Sequence, residues 1–213
     1  ALVTHERLAA MLVDAPDLRA LAQAAGQSAN PGVRRIATLG GNLCATGFAS
    51  ADLVVALLAL DARIEVATPD GRQLLDMPAF LAQRGTAGAS LVTAAILPRG
   101  AQCSAHRRLM IRRAGDYPVA LLSISIDTAP QGHITRARIA VGAVEQVARR
   151  WHSLEEAVRG QHPDPAALSA LAGAHAEGFT PRDGVDAPGW YRLRVLPALL
   201  RQAIDQINEE ARA

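Results

Sequence analysis

Lysine is absent from this chain: all 22 basic residues are arginine, set against 20 acidic residues for a formal net charge of +2. The arginines are spread along the sequence, so no basic stripe of the kind that grips a phosphate backbone is present. Aromatic residues make up only 3% of the chain, which leaves few platforms for stacking bases. Nucleic acid is therefore not an expected partner. The two cysteines, Cys44 and Cys103, are too few for a disulfide framework or a multi-cysteine metal or iron–sulfur centre. None of the histidines, His5, His106, His133, His152, His162 and His175, stands in a metal-ligand spacing such as His-Glu-x-x-His. No Gly-x-Ser-x-Gly elbow accompanies them, and most are expected at the surface. Neither Gly-x-Gly-x-x-Gly nor Gly-x-x-x-x-Gly-Lys occurs, which excludes a Rossmann or Walker phosphate loop in its usual form. No apolar run reaches the length of a membrane span, and no basic start leads into an apolar signal segment. The cytoplasm is the expected location.

What is present is enough to fold. A chain of 213 residues with 50% hydrophobic content can bury a real core, as one large domain or two small ones. Ala1-Leu-Val3 reads as the end of a strand, Thr4 as the cap of a helix through Met11, and Asp17 to Ala25 continues at helical period. An opening inside a paired element suggests a fragment or a separately cleaved segment. Leu53 to Leu60 reads as a buried helix. Ala62 to Ala67 alternates at period two, Pro69-Asp-Gly71 turns, and Arg72 to Leu75 returns, which makes a hairpin. Ala89 to Leu97 reads as a strand, and Pro98 to Ser104 is the best candidate domain boundary.

The second half opens with Arg107 to Arg113. Val119 to Asp127 alternates through Leu122, Ile124 and Ile126, Pro130-Gln-Gly-His133 turns, and Ile134 to Val144 returns as a partner strand. Helices are expected at Ser153 to Arg159, Pro165 to Ala176 and Tyr191 to Ile207, the last with Leu193, Leu196, Leu199, Leu200 and Ile204 on one face. Strands first and helices afterwards is an α+β order.

The stretch from Ile36 to Asp52 carries the chemistry. Gly40 and Gly41 free the backbone for positive φ or for close approach of another group. Successive amides in such a turn can receive an anion, with the start of the following helix adding donors of its own. The same Gly-Gly is also what an ordinary tight hairpin looks like. Ser50 or Asp52 before an apolar run is equally an ordinary helix N-cap.

Thr38-Leu-Gly-Gly-Asn42, preceded by Pro31-Gly-Val-Arg-Arg35 and followed by a small-residue loop, Asp52 and Leu57-Leu-Ala-Leu-Asp61, resembles the second FAD-binding motif of the molybdenum hydroxylase flavoproteins, the xanthine dehydrogenase and carbon monoxide dehydrogenase family. Arg108-Leu-Met-Ile-Arg-Arg-Ala-Gly-Asp-Tyr117 resembles the Arg-Arg-x-x-Asp segment opening that family's C-terminal domain, and Ile134 to Gly142 resembles its strand. The family's first flavin motif, an Ala-Gly-Gly-Thr-like loop, has no counterpart here, and Asn42 and Asp52 stand one residue further apart than in the family pattern.

The resemblance implies an α+β fold with two parts. Residues 1–103 would be the second part of a PCMH-type FAD-binding domain, an antiparallel sheet with helices. Residues 104–213 would be a C-terminal domain of a small antiparallel sheet packed on a helical bundle. It implies an oxidoreductase subunit in a heterotrimer with a large molybdopterin-binding subunit and a small 2Fe-2S subunit, passing electrons through FAD to NAD or another acceptor. The implied cofactor-binding residues are Thr38, Leu39, Gly40, Gly41 and Asn42 at the pyrophosphate, Asp52 at a ribityl or ribose hydroxyl, Val92 or Leu91 against the flavin ring, and Arg108 where the family has Lys. Leu91 and Val92 each read equally as core residues of a strand, and Arg112-Arg113 with Asp116 equally as a solvated ion pair. No general acid or base is expected. The rival expectation is a flavin-free subunit that keeps the fold to dock its partners.

Overall fold

The computed structural model describes residues 1–86, 88–98, 103–111 and 117–212. Arg112, Arg113, Asp116 and residues 99–102 of the expected boundary lie outside these. Helices α1 (His5–Met11), α2 (Arg19–Gln27), α3 (Pro31–Arg34), α4 (Leu39–Cys44) and α5 (Asp52–Ala59) come first. Strands β1 (Arg63–Thr68) and β2 (Gly71–Asp76), helix α6 (Met77–Gln83) and strand β3 (Leu91–Ile96) follow. The second half holds β4 (Cys103–Leu109), β5 (Ala120–Thr128), β6 (Ile134–Gly142), β7 (Arg149–Arg150), α7 (His152–Val158), α8 (Pro165–His175), α9 (Gly189–Arg194) and α10 (Leu196–Glu210).

Capping chemistry sets many of the helix starts. The side chains of Thr4, Asn30, Thr38, Asp76 and Asp164 each accept from a backbone N–H in the first turn that follows, meeting one of the donors a helix start leaves unpaired.

Two antiparallel sheets result, ordered β2-β1-β3 and β4-β5-β6-β7. In the larger sheet the period-two pattern decides which layer each side chain enters. Leu122, Ile124 and Ile126 of β5, with Ile139 and Val141 of β6, pack against α7, α8 and α10. Leu121 and Ala140 face the other way and join a core built on α5. All eight residues of α5 are buried, which suits a helix that reads apolar all round. Helix α2 lies on β4: the Ala20 amide donates to Ser104 Oγ at 2.9 Å and the His106 amide to Gln23 Oε1 at 2.8 Å.

Several expectations are corrected. Residues 1–3 form no strand; they run against the start of α4, and only Thr4 makes an isolated bridge, to Thr38. The second half opens not at Arg107 but with strand β4 from Cys103, inside the expected 98–104 boundary, and the inward Ser104 and His106 of that strand are polar. The single helix expected over 191–207 is two, α9 and α10. Pro197 sits in the first turn of α10, where its missing N–H breaks no helical bond, and it would have broken one in a continuous helix. Of the six histidines, most lie at or near the surface as expected, and His5 and His106 are buried.

Candidate functional site

The Gly-Gly segment is not an open turn. Residues Leu39–Cys44 form a short helix capped by Thr38, whose Oγ1 accepts from the Gly41 amide at 3.1 Å. The Leu39 amide donates to Val3 O at 3.0 Å and the Gly40 amide to Ala1 O at 2.8 Å. A Cβ on Gly40 would lie 3.0 Å from Ala1 Cβ and 3.2 Å from its carbonyl oxygen. The glycine thus admits the chain's own backbone, and neither Gly40 nor Gly41 has positive φ. The amides of Leu39, Gly40 and Gly41, expected at a pyrophosphate, donate within the chain in this structure.

Beside this helix opens a cavity of about 810 Å³. Its walls come from α3, α4, the first residue of α5, strand β4 and the residues just beyond it. Thr38, Gly41, Asn42, Asp52 and Arg108 all line it, although Arg108 belongs to the second half of the chain. Leu39 and Val92 are instead buried in the first core, Gly40 meets Ala1, and Leu91 is exposed. None of those four lines the cavity.

Asp52 is the first residue of α5 and is buried. Ala51 is the N-cap, so Asp52 acts not as a cap but as a negative charge in the first helical turn. His106 Nε2 lies 3.3 Å from Asp52 Oδ1, and Arg108 Nε lies 3.5 Å from the same oxygen. The Arg108 geometry gives charge attraction without a hydrogen bond, leaving Nε buried and unpartnered. Asn42 Oδ1 is likewise buried without a partner. Among the described residues only four side-chain atoms share that condition, and two of them belong to this cavity.

Arg34 and His5 complete the wall, and sequence reasoning missed both as site residues. Arg34 was visible within the quoted Pro31-to-Arg35 segment; no local pattern marked His5. His5 Nδ1 lies 2.7 Å from Ser28 Oγ, and its Nε2 lies 3.3 Å from Thr38 O. Burial pushes the His5 imidazole below its ordinary pKa; the Thr38 carbonyl and Asp52 pull it up, and Arg34 pushes it down further.

A second cavity of about 800 Å³ adjoins the first and shares Phe48, Ser50 and Tyr117 with it. Phe48 and Tyr117 meet edge to face with centroids 5.4 Å apart. Arg182 and Asp186 stand on its far side. Burial raises the Asp186 carboxyl, but the hydrogen bond from Arg192, aided by the charges of Arg192 and Arg182, leaves it below the usual carboxylate value. No group of three or more His, Cys, Asp or Glu side chains among the described residues could hold a metal ion. Nor, among the described residues, is any helix long and apolar enough to cross a membrane.

This arrangement suits an elongated ligand with both anionic and hydroxyl-bearing parts. Arg34 and Arg108 supply positive charge, while Asp52, Asn42 and Thr38 supply short polar contacts in a largely apolar recess.

Residues 1–100 match the family described as the FAD binding domain in molybdopterin dehydrogenase, and residues 105–207 match the CO dehydrogenase flavoprotein C-terminal domain. The chain is 27% identical over 218 residues to the 6-hydroxypseudooxynicotine dehydrogenase complex subunit alpha of Paenarthrobacter nicotinovorans, covering 100% of this chain and 73% of that one. It is 27% identical over 206 residues to the nicotine 6-hydroxylase medium subunit of the same organism, covering 95% of this chain and 72% of that one. Its fold resembles that in the quinoline 2-oxidoreductase structure from Pseudomonas putida 86, with a TM-score of 0.86 at 23% identity over 99% of this chain and 74% of the other.

Proposed function

Because this chain belongs to the FAD-binding medium subunits of the molybdenum hydroxylase family, we propose that its first cavity holds FAD through Thr38, Gly41, Asn42, Asp52 and Arg108. On this reading the chain is the electron-transfer subunit of a molybdenum-containing hydroxylase or dehydrogenase, assembled with a large molybdopterin-binding subunit and a small 2Fe-2S subunit. Held by these residues, FAD would supply redox chemistry between iron–sulfur clusters of the partner and NAD or another acceptor.

The protein's own contribution is placement. Arg34 and Arg108 would balance diphosphate charge, the glycine amides being engaged within the chain. Asn42 and Thr38 give short polar contacts, and Asp52 accepts from a hydroxyl of the ligand. Phe48, Met110 and Pro118 line the recess and limit access of water. The adjoining cavity, bounded by Tyr117 and Arg182, is where an acceptor would approach.

The observation that carries this reading is the pair of buried polar atoms without a hydrogen bond, Asn42 Oδ1 and Arg108 Nε, from the two halves of the chain and both at this cavity. Buried polar atoms are normally satisfied, so atoms left open in a recess point to a ligand that completes them. Asn42→Leu should leave the folded chain as stable as before or more so, because it removes an unsatisfied acceptor. FAD affinity, followed by quenching of flavin fluorescence, should fall about fivefold. Undiminished FAD binding in this variant would remove the support. The engaged amides of Leu39, Gly40 and Gly41 favour a second reading, a flavin-free docking subunit, for which no flavin would remain with the protein after free FAD is removed.

A further inference from the structure

We propose that His106 is a positioning residue for the ligand in the first cavity: from the second half of the chain it holds Asp52 by Oδ1 and so turns Oδ2 toward the ligand. The inference rests on the proposed FAD site and adds to it a residue that touches no ligand.

His106 is fully buried on β4, and both of its ring nitrogens have partners. A carboxylate oxygen can only accept, so Nε2 carries the proton toward Asp52 Oδ1, and Nδ1 pairs with the Ser123 hydroxyl at 2.8 Å. Register explains the arrangement. His106 and Ser123 are directly opposed on the antiparallel pair β4–β5, so their side chains leave the sheet on the same face, toward the start of α5. The result is a buried Ser123–His106–Asp52 chain that crosses from one half of the protein to the other.

A buried imidazole is costly unless its polar atoms are met, and an apolar residue would pack this strand face without that demand. What the imidazole adds is direction. Asp52 has two carboxylate oxygens; His106 and Arg108 both address Oδ1, and among the described residues no hydrogen bond to Oδ2 is seen. Asp52 also lines the cavity, where His5 flanks it and feels its charge. Fixing one oxygen from behind leaves the other facing a hydrogen-bond donor, such as a polyol hydroxyl, at a defined angle. A support of this type matters because a ligand contact loosened by an ångström loses most of its value.

The test is FAD titration of the full chain, followed by flavin fluorescence and by the visible circular dichroism of bound flavin. Wild type must bind, and absence of binding there defeats the proposed function rather than this inference. Asp52→Asn and His106→Leu should each weaken binding about tenfold, the scale of one charge-assisted hydrogen bond. The double variant should be no weaker than Asp52→Asn alone, because His106 acts through Asp52. Additive losses would show that His106 serves the fold and would overturn the inference, as would a His106→Leu chain that binds FAD and gives its dichroism like wild type. Should His106→Leu fail to fold, the amide pair decides. Glutamine places a donor near the Nε2 position and should bind within about twofold of wild type, whereas asparagine places it near Nδ1 and should not. Equal behaviour of the two amides would again overturn the inference.

Discussion

Gly142, the last residue of β6, is where α5 rests on the larger sheet with nothing between them. A Cβ built there overlaps Val55 Cγ2 and comes within 3.4 Å of Leu121 Cδ1. Val55 is fully buried in the middle of α5, and a β-branched residue in a helix has essentially one χ1 rotamer, so it cannot swing aside. Gly142→Ala must therefore lift the helix or strain the strand. Overpacking of this kind costs about 2 kcal/mol, which lowers Tm by about 4–8 °C in a chain of this length. Val55→Ala alone removes two methyl groups from the core and costs about 2 kcal/mol. In the double variant the new methyl enters the space the valine vacates, so the loss should be no larger than that of Val55→Ala. Urea unfolding of the four proteins measures this coupling directly. If the two losses simply add, to about 4 kcal/mol, direct contact between Gly142 and Val55 is not what holds α5 to the sheet.

Two further substitutions test buried polar groups. Arg192 is fully buried and donates to Val119 O, Ala143 O, Ala187 O, Arg182 O and Asp186 Oδ2, so Arg192→Met strands several carbonyls and should cost about 3–5 kcal/mol in urea unfolding. Arg192→Lys should restore little, since a single ammonium cannot reproduce the planar fork; full recovery would contradict that geometry. For His5, burial holds the folded pKa below the ordinary 6.5, so the unfolded chain binds the proton first as pH falls. Stability contributed by the neutral ring is complete above pH 6.5 and declines below it, by at most about 1.4 kcal/mol per pH unit, down to the lowered folded value. His5→Asn should flatten that acid slope in chemical unfolding between pH 5 and 6.5, values chosen around the free imidazole; an unchanged slope would place the titration elsewhere.

Elements governed by local rules were readable from sequence. Thr4, with its short polar side chain ahead of Leu8 and Met11, announces the first helix, and Leu122, Ile124 and Ile126 announce β5 and its inner face. The unbroken apolar run of α5 implied a buried helix because no side is left for solvent. What failed depended on distant partners. Gly40 and Gly41 signalled a close approach without saying of what, and the answer, the backbone of Ala1, comes from another part of the chain. Strand β4 was not read from sequence, since its inward Ser104 and His106 are polar and their partners, on α2, α5 and β5, are remote in sequence. The site shows the same division. Thr38, Gly41, Asn42, Asp52 and Arg108 were gathered by resemblance, and the structure sets them on one cavity; His5 and His106 required the third dimension.

Helix α5 also bears on modularity. The first family match ends at residue 100 and the second begins at residue 105, yet the helix at 52–59 packs against β5 and β6, and its core includes Leu121, Ala140, Ala143 and Ala148 from beyond that divide. Separating the chain between its sheets would bare a greasy seam on both pieces. The halves are thus coupled in unfolding, and neither should refold as a monodisperse species when expressed without the other.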